Sequence, residues 1–232
     1  MKKITNLFTL TAIVLFISGC NSSPKSNDTA TENNDDHSLS TVFENDYAAV
    51  VTVTLEPGEK QKLHAGNERV IYSLNNYTIN WEENGEDLGE KKWKKGDVHF
   101  HSSGKHKAIN TGKETAEWLV FSKKAEAPSP CENGLEDDIT IVRPDITTTL
   151  LDNDQFKVVK VTLPAGDSIP KHSGTNRIIY SLSNYSIEYT SDQQDVTLKN
   201  FKPNDIHWHN DCFHTLKNTG ETPAEMLVVS FK

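Results

Sequence analysis

The chain has 232 residues and carries 33 acidic side chains against 24 basic ones, for a formal charge of −9. No basic patch or stripe interrupts this acidity, which excludes a protein built to grip the phosphate backbone of a nucleic acid. The length beyond the N-terminal segment accommodates one large or two small domains.

Residues 1–20, MKKITNLFTLTAIVLFISGC, read as a secretory signal: Lys2 and Lys3, an apolar stretch from Leu7 to Ile17, then small residues up to Cys20. The apolar stretch is too short to serve as a membrane span. ISGC resembles a bacterial lipobox, which implies that Cys20 becomes the lipid-modified first residue of the mature protein. Asn21 is not the aspartate that retains some lipoproteins in the inner membrane, so the resemblance implies a cell-envelope protein on the outer membrane, attached through its lipid alone. Loss of Lys2 and Lys3 with the signal moves the charge from −9 to −11. Residues 21–40 are polar, with no aromatic and almost no aliphatic side chain, and are expected to form a disordered tether in which His37 is solvated.

From Tyr47 the chain repeats itself at an offset of 108 residues. VVTVTLEPGEKQKLHAGNERVIYSLNNYTINW (50–81) lies over VVKVTLPAGDSIPKHSGTNRIIYSLSNYSIEY (158–189), and GDVHFHSSGKHKAIN (96–110) over NDIHWHNDCFHTLKN (204–218). In each copy the order of elements is the same. VVTVTL or VVKVTL predicts a strand ended by a Pro/Gly turn. RVIYSL or RIIYSL predicts a second, with an Asn/Ser turn before YTINW or YSIEY. AEWLVFS or AEMLVVSF closes the copy. Short strands at close spacing with no helical period predict a sandwich or barrel in each half.

These residues resemble the cupin superfamily of small jelly-roll barrels. Gly58 with His64, and Gly166 with His172, match the start of its first motif; His106 with Asn110, and His214 with Asn218, match the end of its second. Gly96–Asp97, replaced by Asn204–Asp205 in the second copy, precedes that second motif. The resemblance implies an all-β bicupin: one barrel over 41–124, a linker over 125–144 and a second barrel over 145–232. The family motif also supplies a second histidine and a glutamate to a metal. Here the histidine position is Gly66 or Gly174, and the glutamate falls on Val70 or Ile71, and on Ile178 or Ile179. The proline turn is replaced by SSGK or NDCF.

Extra histidines stand beside the surviving pairs. If SSGK is a four-residue hairpin loop, His101 faces His106 across the ladder, with His99 on the same face and Val98 and Phe100 on the other. His207, His209 and His214 group likewise, with Ile206 and Trp208 turned away. His64 or His172 brings each barrel to four imidazoles. Three readings stay open. His64, His101 and His106, and His172, His209 and His214, are a ligand set for a divalent metal such as zinc, iron, manganese or nickel. His99 and His207 are the proton-transfer groups, with or without metal. Alternatively the rings are structural and satisfied by backbone or water.

Arg69 and Arg177 suit a two-point grip on a carboxylate or sulfate, or else a surface ion pair. Tyr72 and Tyr180 have the opposite parity. They pack between barrels, or a bulge turns them inward as substrate-binding proton donors. Trp81, Trp93 and Trp118, matched by Tyr189, Phe201 and Met226, are core candidates, and Trp208 is a candidate pocket wall. Cys131 and Cys212 are either a disulfide tying the linker to the second histidine cluster or separate thiols, Cys212 then being a soft ligand.

The functional expectation is an exported lyase or dehydratase acting on uronate-type, unsaturated or otherwise acidic oligosaccharide fragments, with two competent sites. The alternatives are a three-histidine metal-dependent dioxygenase and a non-catalytic lipoprotein that binds a ligand or metal.

Overall fold

The computed structural model describes residues 38–131 and 137–232. The signal with Cys20, and His37, lie outside the described residues. The first copy contains β1 (Leu39–Glu44), β2 (Ala48–Leu55), β3 (His64–Gly66), β4 (Arg69–Ser73), β5 (Tyr77–Glu83), β6 (Glu86–Trp93), β7 (Val98–His101), β8 (Gly104–Asn110) and β9 (Ala116–Lys123). A four-residue helix, α1 (Ile139–Val142), precedes the second copy: β10 (Thr147–Asp152), β11 (Phe156–Leu163), β12 (Ser168–Ser173), β13 (Arg177–Ser181), β14 (Tyr185–Ser191), β15 (Thr197–Phe201), β16 (Ile206–His209), β17 (Phe213–Asn218) and β18 (Ala224–Phe231).

Each copy folds into two antiparallel sheets, β1-β2-β9-β4-β7 with β3-β8-β5-β6, and β10-β11-β18-β13-β16 with β12-β17-β14-β15. Among the described strands no ladder joins one copy to the other. The two matched sets have the same strand order, so the repeat in sequence is a repeat in topology.

The apolar runs are nearly continuous because the five-stranded sheets are covered on both sides. On β4, Ile71 packs inside the first barrel with Val53, Leu55, Ile79 and Trp118. Val70 and Tyr72, one residue either side, join Phe121 and the second copy's Phe156, Ile178, Tyr180 and Val229 in a core shared by both barrels. Tyr72 and Tyr180 meet edge to face, with ring centroids 6.1 Å apart. Strand parity therefore assigns both tyrosines to packing. The substrate-binding role considered for them is corrected, because neither strand carries a bulge that would turn them inward. Trp208 packs in the same region, 5.6 Å from the Phe231 ring, and lines no histidine pocket.

The SSGK hairpin is also corrected. β7 pairs with β4, while β8 pairs with β3 and β5, so Ser102 and Ser103 carry the chain from one sheet to the other. His101 and His106 consequently reach the interior from opposite sheets rather than along one ladder. At this corner Gly104 has φ of 151°, and a Cβ there would lie 2.4 Å from Asn84 Oδ1, so only glycine fits. The second-copy corner between β16 and β17 is fastened differently. Cys131 and Cys212 form a disulfide, and the Cys212 carbonyl accepts a hydrogen bond from Gly174 N. Segment 125–144 is therefore more than a spacer: it supplies Cys131, and its Asp138 accepts from Lys157 Nζ at 2.8 Å beside the mouth of the second barrel.

Candidate functional site

The site in each barrel begins with an arginine that the strand turns inward. Arg69 opens β4 opposite His101, and Arg177 opens β13 opposite His209. Both are almost fully buried, at 2% and 4% exposed, so the surface ion-pair reading is excluded. Arg69 Nη1 donates to the carbonyls of Asn67 and Ser102, each at 3.0 Å, pinning the guanidinium between two loops. Arg177 Nη1 does the same with Thr175 (2.9 Å) and Asp211 (3.1 Å). The second terminal nitrogens differ. Arg69 Nη2 makes no hydrogen bond and lies 3.7 Å from Glu83 Oε1. Arg177 Nη2 lies 3.4 and 3.3 Å from the two ring nitrogens of His214.

The imidazoles gather around these guanidinium groups. His64 and His106 stand opposite each other on β3 and β8 with ring centroids 4.1 Å apart; His172 and His214 repeat the pair at 4.0 Å. His64 Nδ1 contacts the Lys62 carbonyl at 2.8 Å and His172 Nδ1 that of Pro170 at 2.9 Å. His101 Nδ1 contacts Glu83 Oε1 at 3.3 Å, while its Nε2 and His106 Nδ1 are buried without a hydrogen-bond partner. Burial, reinforced by Arg69, pushes His106 down to about 3, and His101 is also lowered. Burial and the adjacent Arg177 drive His214 far below the ordinary histidine range. His101, His106, His172 and His214 are therefore neutral at pH 7, which removes the mutual repulsion that several convergent imidazolium ions would suffer.

His99 and His207 stand one step further from the arginines. His99 is stacked on Trp93 at 3.7 Å and His207 on Phe201 at 4.5 Å, and burial takes both down to about 3. Neither His99 nor His101 belongs to the wall of the first-barrel cavity; His99 is held between the Trp93 and His101 rings. His207 does line the second cavity.

Two carboxylates complete the sites. Glu83, the last inward residue of the row Tyr77, Ile79, Trp81, Glu83 on β5, serves the first barrel. Asp211, on the β16–β17 corner, serves the second, accepting from Tyr189 Oη at 2.6 Å and lying 3.6 Å from His209 Nδ1. Contacts with His209 and Tyr189 hold its carboxyl down at about 2. Neither was legible as a motif, because one copy draws the acid from a strand and the other from a corner between strands. Alternation along YTINWEE was the available signal for Glu83.

The cavities differ in size. The first, about 290 Å³, is lined by His64, Gly66, Arg69, Trp81 and His106. The second is about 60 Å³, and Asp138 and Ile139 of the preceding segment form part of its wall with Arg177, His207, His209 and His214.

The metal reading meets an obstacle in these contacts. Among the described residues no three His, Cys, Asp or Glu side chains group as an ion-holding set. A pinned guanidinium stands among the histidines instead, and Cys212 is committed to its disulfide. His64, His101 and His106, and likewise His172, His209 and His214, do not present a common centre, so no chemical step is derived through a metal.

No protein-family model and no curated protein matches the sequence. Solved structures do match the fold. AerE from Microcystis aeruginosa is 16% identical, with a TM-score of 0.60 over 84% of this chain and 91% of that one. A cupin 2 conserved barrel domain protein from Leptotrichia buccalis is 14% identical, with a TM-score of 0.52 over 84% and 88%. The oxalate decarboxylase of Lactobacillus farciminis, in a formate complex, is 14% identical, with a TM-score of 0.60 over 84% of each chain. The protein has the cupin fold, built twice in tandem. The related Bacillus subtilis oxalate decarboxylase is described with Mn(II) centres, so the fold is compatible with a divalent metal even though these residues do not assemble one.

Proposed function

We propose that the first barrel is the working site of an exported lyase that eliminates across a carboxylate-bearing sugar unit. Arg69 holds the carboxylate and His106 carries the proton. One observation carries this reading: Arg69, whose buried Nη2 makes no hydrogen bond and has only Glu83 Oε1 at 3.7 Å for a counter-charge, is a wall residue of a 290 Å³ cavity shared with His106. A buried guanidinium N–H without a hydrogen bond is costly unless an acceptor arrives, and a planar carboxylate is the acceptor its fork matches.

The chemistry follows from charge. A proton next to a carboxylate leaves only if the developing enolate is stabilised, and the fixed Arg69 cation lies beside the carboxylate it would hold. His106, kept neutral by burial and Arg69 and standing in the cavity wall, is the ring placed to accept that proton. A bound carboxylate offsets part of the Arg69 charge, so the ring gains basicity when substrate is present. The C–H electron pair becomes the C=C bond, the β-oxygen departs with its bonding pair, and His106 returns the proton to it as water or a sugar hydroxyl. Substrate and products carry the same net charge.

A cavity at the lower edge of the roughly 300–1,000 Å³ common for small-molecule sites suits one acidic unit, at the end of a uronate fragment, rather than a long polymer. The signal and lipidated Cys20 proposed from sequence would hold such an enzyme in the cell envelope, where polysaccharide fragments are met. Oxalate decarboxylase, by its name, also acts on a carboxylate within a tandem cupin.

The test is incubation of purified protein with saturated and unsaturated uronyl oligosaccharides. Ultraviolet absorbance and mass should change with wild type and far more slowly with Arg69→Gln. Unchanged absorbance and mass would overturn the lyase reading, and a ligand-induced thermal shift without product would mark a binding protein instead.

A further inference from the structure

We infer that the guanidinium of Arg69, and in the second barrel that of Arg177, is the resident cation of the site and excludes a divalent ion from it. This goes beyond the proposed reaction and stands whether or not a uronate is the substrate.

The observation lies at two glycines. Gly66 and Gly174 occupy the place where the resemblance puts the second histidine of a ligand set. A Cβ on Gly66 would lie 2.6 Å from His106 Cε1 and 3.0 Å from Arg69 Nη1. A Cβ on Gly174 would lie 2.6 Å from Arg177 Nη1, 2.9 Å from its Cζ and 3.0 Å from His214 Cε1. Neither glycine is among the positive-φ residues, so the backbone does not call for glycine at these points. The space does. At 174 a side chain and the guanidinium cannot both be present; at 66 a side chain would meet the His106 ring first and crowd the guanidinium behind it.

The arginine cannot swing aside to admit an ion, because its Nη1 is held by two main-chain carbonyls in each barrel. In the second barrel its Nη2 sits against the His214 ring, 3.4 and 3.3 Å from its two nitrogens. A dication brought among these rings would meet a fixed positive charge in a water-poor interior, where repulsion is least screened. The exchange is thus paired: a potential ligand is lost at 66 and 174, and a covalently attached cation takes the volume. It keeps a positive centre among neutral histidines and turns the preference of the site from cations to anions.

The untagged full chain would be dialysed against Mn(II), Zn(II) and Ni(II) in turn, passed through a desalting column, and assayed for metal content and for bound Mn(II) by paramagnetic resonance. Wild type is expected to emerge without stoichiometric metal. Arg69→Ala, which removes both the charge and the guanidinium that keeps His64, His101, His106 and Glu83 from closing on one centre, is expected to bind Zn(II) at least tenfold more tightly. Arg69→Met keeps the volume and removes the charge should Arg69→Ala fail to fold. Stoichiometric metal in wild type, lost on His106→Ala, would overturn the inference. So would a folded Arg69→Ala and a folded Arg69→Met that bind metal no better than wild type. Product assays do not enter, so failure here is distinct from failure of the lyase reading.

Discussion

Arg69 and His101 stand directly opposite each other across the β4–β7 ladder, and Arg177 and His209 repeat the relationship across β13 and β16. Each arginine is thereby delivered to the interior by register alone, before any side-chain contact is made. Charge-assisted hydrogen bonds contribute about 1.5–3 kcal/mol. Arg69→Gln should therefore lower kcat/KM for an acidic substrate by about 10–100-fold. Arg69→Lys should not rescue it, because one ammonium cannot reach both loop carbonyls and still present a fork. Full activity in the lysine variant would show that a point charge is enough.

The two barrels should not contribute equally. The second cavity, about 60 Å³, has room for a few waters and not for a sugar. His106→Ala is expected to abolish turnover, whereas His214→Ala should leave most of it, measured on the same substrate with folding checked by circular dichroism. The reverse pattern would move the working site to the second barrel.

Tyr72 offers a control. Its ring belongs to the shared core, and burial raises its hydroxyl above the usual phenol range. Tyr72→Phe should keep kcat unchanged, while Tyr72→Ala should cost about 3–5 kcal/mol in urea unfolding, as large aromatic truncations do. A fall in kcat for the phenylalanine variant would reinstate the proton-donor role.

Reduction should act on one barrel only. The Cys131–Cys212 bridge closes a sequence separation of 81 residues, for which loop-closure entropy gives an upper limit of about 4–5 kcal/mol. Cys212 adjoins Asp211, whose carbonyl accepts from Arg177. Cys131→Ser with Cys212→Ser should lower the melting temperature and raise hydrogen exchange in β12, β16 and β17, while exchange in β3, β7 and β8 stays as in wild type. Equal loosening of both barrels would contradict this.

Acid should destabilise the fold. His99 and His207 are held at about 3 by burial, against about 6.5 in an unfolded chain. Below pH 6.5 the unfolded chain takes up protons that the folded one refuses. The stability associated with these rings is complete above that pH and is lost as pH falls towards 3. Asp211, held at about 2, adds loss of the same sign below about pH 4. Urea midpoints should fall between pH 7 and pH 4, and His207→Gln should flatten part of the slope; a flat wild-type profile would contradict neutral buried imidazoles.

Strand parity was legible because β4, β7 and their counterparts run without bulges. Arg69 in, Tyr72 out, His99 and His101 in, and Phe100 out all follow from period two. Partnership between strands was not legible. SSGK has the composition of a hairpin loop, but closure of the barrel sends β7 to β4 and β8 to β3. Glu83 and Asp211 escaped notice because acids at unequal positions in the two copies leave no repeated motif. Gly66 read as a missing ligand, and only coordinates reveal that its emptiness makes room for Arg69.

The shared wall of Tyr72, Phe121, Phe156, Tyr180 and Val229 has a consequence for each copy alone. A single repeat would leave that apolar sheet bare to water, and the contact of Tyr72 with its repeat equivalent Tyr180 is the back-to-back pairing that two identical copies would make about a twofold axis. Joined in one chain, each half is free to differ, and the first holds a cavity of about 290 Å³ where the second holds about 60 Å³.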